Sequence, residues 1–117
     1  MSSKGHFAQH IKIATTEATV GTTDAILEAH AFTLKPTDFI GSGFPKVSAW
    51  KSGGLGAITI TLWEKVGGNW NQVFKDGSAF ELSATVPQDA ITSYGRYAVA
   101  KADATTGVEV TVTQVAR

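Results

Sequence analysis

Between Ala57 and Asp76 the chain reads AITITLWEKVGGNWNQVFKD. Apolar and polar residues alternate up to Leu62, the period of a strand with one buried face. Gly67-Gly68 then joins two such runs, and both glycines accept the positive φ that a tight hairpin turn needs. With these two residues as the loop, Lys65 faces Trp70, Glu64 faces Asn71 and Trp63 faces Gln72. That register sends Ile58, Ile60, Leu62 and Val73 inward. Trp63, Trp70 and Phe74 are expected on the opposite face, where another part of the chain (the N-terminal arm, for instance) or another protein must cover them.

Short strands separated by turn signals continue along the chain. His10–Thr15 alternates, and Gly21–Asp24 is turn chemistry. Ala25–Leu34 permits a helix capped by Asp24, but Ile26, Phe32 and Leu34 fit a period of two, and strand is the favoured reading. Lys35–Pro45 is a loop carrying Phe39, Ile40 and Phe44, which either caps one end of the domain or inserts into a partner. Lys46–Lys51, Ser78–Val86, Tyr94–Ala102 and Val108–Val115 read as strands, with a loop or helical turn over Pro87–Ser93. Tyr94–Ala102 and Val108–Val115 are expected to pair as a hairpin. Seven or eight short strands without a long helical period predict an all-β fold, a single antiparallel β-sandwich of jelly-roll or Ig-like type. Residues 1–9 are expected to form an N-terminal arm and residues 10–117 the sandwich domain.

The 117 residues suit one domain. Lys+Arg and Asp+Glu number 10 each, and the basic residues are scattered singly. A clustered basic excess, which phosphate binding requires, is missing, so neither nucleic acid nor an anionic membrane is an expected partner. No segment approaches the ~20 apolar residues of a membrane-spanning helix. The chain has no cysteine, which excludes a disulfide framework, a cysteine-ligated zinc and a thiol nucleophile, and favours synthesis in a reducing cytoplasm. Charged residues make up only 17%, and Thr, Ala, Ser and Gly fill the surface instead, as suits a protein packed among others.

No residue pattern selects a catalytic site. His6 and His10 have helical chelating spacing but lie in non-helical sequence without an acidic partner, so no metal is expected. The carboxylates are dispersed, no G-x-S-x-G elbow occurs, and the glycine-rich pieces lack the Gly-Lys-Ser/Thr of a phosphate loop. The chain is expected to be neither an enzyme nor a cofactor binder. Trp50, Trp63 and Trp70 are candidates for a sugar-stacking platform or, with Phe74, for a protein contact surface. His6 and Phe7 of the arm and Phe39 and Phe44 of the loop complete the candidate interface.

Ala57–Trp63 (AITITLW), Gly67–Trp70 (GGNW), Tyr94–Val99 (YGRYAV) and Gly107–Val115 (GVEVTVTQV) together resemble small β-sandwich structural proteins of tailed bacteriophages. The chain departs from their pattern where Trp-Glu-Lys-Val stands in place of a frequent Ser-Asn-Asp-Gly turn. The resemblance implies a non-catalytic virion protein, made in the host cytoplasm. Such a capsid decoration, or cement, protein would act in a symmetric assembly on the major capsid protein. A carbohydrate-binding or adhesive module of a tail or fibre is the alternative expectation.

Overall fold

The computed structural model describes residues 9–17, 19–35, 45–91, 93–101 and 107–116. The hairpin forms in the expected register. Strand β5 (Ile60–Val66) pairs with β6 (Asn69–Gln72), setting Lys65 against Trp70, Glu64 against Asn71 and Trp63 against Gln72. Gly67 and Gly68 sit at φ 60° and 86°, the doubly left-handed backbone of a type I′ turn.

The chain is all-β, with two main sheets packed as a sandwich. One sheet has the order β1-β12-β4-β10, from β1 (Gln9–Glu17), β12 (Glu109–Ala116), β4 (Lys46–Trp50) and β10 (Gln88–Ala90). The other runs β2-β11-β5-β6, with β2 (Thr19–Val20) and β11 (Gly95–Lys101). Two short strands join this second sheet: β3 (Phe32–Leu34) on β11 and β9 (Glu81–Leu82) on β5. All pairs are antiparallel except β2 with β11. A small hairpin, β7 (Phe74–Lys75) with β8 (Ser78–Ala79), forms a separate two-stranded sheet.

The core lies between the main sheets. Val47, Ala49, Val110 and Val112 meet Ile60, Leu62, Leu82 and Val99 there, with Ile58 buried and Val73 packed against them, as the hairpin register requires. Along β12 the buried Val110 and Val112 alternate with the exposed Glu109 and the half-buried Thr111, a period of two.

Four expectations change. First, residues 24–29 form a helix, α1 (Asp24–Ala29), not a strand, and its cap is Thr23, whose hydroxyl accepts from Ile26 N. Ala, Leu and Glu favour the helix locally, and the chain is extended only from Phe32. Second, β11 and β12 do not pair. They lie in different sheets, β12 between β1 and β4. Third, Pro87–Ser93 contains β10, an edge strand on β4. Fourth, the Ser78–Val86 run splits at Phe80, whose side chain is buried, and its halves pair with β7 and β5. Such breaks raise the strand number among the described residues to twelve. Gln9, read as the end of the arm, already pairs with Ala116 in β1; residues 1–8 lie outside the described residues.

Candidate interaction surface

The cover for the hairpin tryptophans is α1. On β11, Ala98 and Ala100 point away from the sandwich core, opposite Trp63 and Thr61 of β5. Their small side chains leave room for a helix to approach. Leu27, fully buried, packs there against both alanines, with Trp63 and Trp70 partly buried beside it. Trp63 Nε1 donates to Thr61 Oγ1 at 2.9 Å, and that hydroxyl donates to Ala100 O at 3.3 Å. Trp70 Nε1 is buried without a hydrogen-bond partner. Lys65 Nζ lies 5.9 Å from the Trp70 ring centroid.

Glu28 ties the helix to the sheet from its exposed side. Its carboxylate meets Lys65 Nζ at 3.0 Å and Arg96 Nη2 at 3.1 Å. The Lys65 hydrogen bond, with help from both positive charges, holds the Glu28 carboxyl below its ordinary range. Arg96 also donates to Thr33 Oγ1 at 3.2 Å, which links the helix, β11 and β3.

A second feature lies between β6 and β10, the edge strands of the two main sheets among the described residues. A cavity of about 330 Å³ has Leu62, Val73, Phe80 and Ile91 as apolar wall. Glu64, Gln72, Ser93 and Tyr97 also line it. The buried Tyr97 hydroxyl contacts Ser93 Oγ at 2.6 Å and Ser93 O at 3.2 Å. Burial raises the Tyr97 hydroxyl above its usual value; the Ser93 bond opposes this and the Glu64 carboxylate adds to it. Lys75 on the rim is held by Asp89 at 2.7 Å and Ala90 O at 3.0 Å. Burial alone would raise the Asp89 carboxyl. Its bonds to Lys75 and the Ala90 amide, with the Lys75 charge, lower it instead. This cavity went unnoticed in the sequence, because its residues come from five separate stretches that only the fold brings together.

The candidate residues separate in space. Trp63 and Trp70 lie beneath α1, while Trp50 ends β4 in the other sheet and is 60% exposed. The three tryptophans therefore form no common platform. Phe74 leaves the Trp63–Trp70 cluster as well: it sits in the β7–β8 hairpin on the cavity rim, 64% exposed. Beside Trp50 a shallow hollow is lined by the Lys51–Leu55 turn, Ala84 and Pro87. His6, Phe7, Phe39 and Phe44 lie outside the described residues. Among the described residues no three His, Cys, Asp or Glu side chains gather as a metal site, and no helix is long and apolar enough to cross a membrane. No family model, curated relative or solved structure matches the chain.

Proposed function

We propose that the chain is a non-enzymatic virion structural protein, a capsid decoration protein that stabilises the shell of the major capsid protein. The observation that carries this reading is that, among the described residues, Trp50 and Phe74 are the most exposed aromatics, at 60% and 64%, on a Thr-rich body of net charge +0. Large aromatics are enriched at protein contacts, and a weakly charged surround makes little demand on charge pairing. The resemblance of Ala57–Trp63, Gly67–Trp70, Tyr94–Val99 and Gly107–Val115 to phage structural proteins points the same way. The mechanism is mechanical: a bridge between neighbouring shell subunits adds buried area that resists expansion by packaged DNA. About 1,600 Å² per neighbour suffices for stable attachment, and repetition around a symmetry axis multiplies it.

The test is co-sedimentation of the purified chain with empty shells assembled from tailed-phage major capsid proteins. Saturable occupancy that falls with Trp50→Ala or with removal of residues 1–8 supports the reading. Absence of occupancy, or occupancy unchanged by both alterations, counts against it.

The hollow beside Trp50 favours a second reading, a carbohydrate-binding or adhesive module. An exposed indole next to polar turn atoms offers a sugar both a stacking face and hydrogen bonds. Binding on a glycan array that vanishes with Trp50→Ala, without shell attachment, selects that reading.

A further inference from the structure

We propose that the cavity between β6 and β10 receives an arginine side chain presented by a partner protein. The inference names a site and a ligand chemistry, and it holds whether or not the partner is a capsid subunit. Three observations carry it. The first is shape: about 330 Å³ is within the range of pockets that take a compact group, and the wall of Leu62, Val73 and Ile91 suits an aliphatic stem.

The second is charge. Glu64 lines the cavity, and among the described residues no cation lies within 4.0 Å of its carboxylate. Lys75, the cation on the lining, is already engaged by Asp89 and Ala90 O. An anionic guest would meet Glu64 as a like charge. A neutral apolar guest would strip water from that carboxylate and give nothing back. A cation on an apolar stem satisfies both halves of the cavity. A guanidinium fits better than an ammonium, because it sheds water more readily and presents a planar fork to a carboxylate. The exposed Phe74 ring on the rim offers it a stacking face.

The third is access. Among the described residues β6 has a strand neighbour on one side only, β5. A partner backbone can run beside that open edge and direct one side chain into the cavity.

The probe is N-acetyl-arginine N-methylamide, titrated into the isotope-labelled full chain and followed by amide chemical shifts. Saturable shifts are expected at Glu64, Gln72 and Ser93. The citrulline counterpart, of equal length but uncharged, is expected to give none. Glu64→Gln is expected to weaken binding by about tenfold, since a charge-assisted pair becomes a neutral one. Phe74→Ala, on the exposed rim, serves as the second variant and is expected to weaken binding while leaving the spectrum dispersed. The proposal is overturned if the arginine probe gives no saturable shift at these residues. Equal shifts from the citrulline probe, or affinity unchanged in both variants, overturn it as well. Failed shell co-sedimentation alone leaves these outcomes untouched, so the two readings fail separately.

Discussion

Two tryptophans under one helix show how far a single hydrogen bond sets the worth of a residue. Trp63 donates to Thr61, whereas Trp70 buries its indole N–H without a partner. Replacing a satisfied donor discards a bond, while replacing an orphaned one removes a penalty. Trp63→Phe is therefore expected to cost more stability than Trp70→Phe, by about 1 kcal/mol, read from urea denaturation of the two variants. Glu28 carries a pH signature. Its folded-state pKa is depressed, chiefly by Lys65, so its contribution is complete above the ordinary carboxylate value and disappears as pH falls through the folded value. Thermal melts over an acid pH series should show a shallower acid decline for Glu28→Gln than for the unaltered chain. Added salt should narrow the difference, because the carboxylate is largely exposed.

At the scale of elements, the hairpin and the helix behave differently as text and as structure. The β5–β6 register was legible because Gly67-Gly68 and the alternation around it are local, and local chemistry sets the turn. Substituting Gly68→Val should cost about 1–2 kcal/mol, the strain of a branched residue held at φ 86°. α1 was misread for the converse reason. Its six residues carry too short a period to distinguish helix from strand, and what selects the helix is tertiary: Ala98 and Ala100 make space, and Leu27 fills it. Leu27→Ala should cost about 2–5 kcal/mol and shift tryptophan emission to the red as water reaches Trp63 and Trp70. An emission spectrum unchanged in that variant would mean that something other than the helix shields them. The β11–β12 misassignment has a similar origin. Neighbouring strands with a polar turn between them read as a hairpin, yet the sandwich sends them into opposite sheets, a choice that burial of Val99 and Val110 from two sides settles. The edge cavity was illegible outright, since Glu64, Gln72, Ser93 and Tyr97 have no sequence pattern in common.

For the molecule as a whole, the absence of net charge is the property with the clearest outward consequence. If the chain binds a protein shell through aromatic contacts, occupancy should change little between about 50 and 200 mM salt, over which a phosphate-dependent binder loses orders of magnitude. Co-sedimentation across that range checks it, and a steep salt dependence would point to an electrostatic partner.

The position of β12 also governs when this molecule can come into being. Its residues, 109–116, lie between β1 and β4, and among the described residues they alone join those two strands into one sheet. During synthesis β1 must wait, unpaired along its length, until nearly all of the described chain has been made. In that sheet β4 and β10 can pair earlier, but β1 joins them only when β12 inserts, a late event driven by contacts between segments far apart in the chain. A nascent chain halted before Val108 should remain open to protease over residues 9–17, and should become protected only once the strand that follows has inserted.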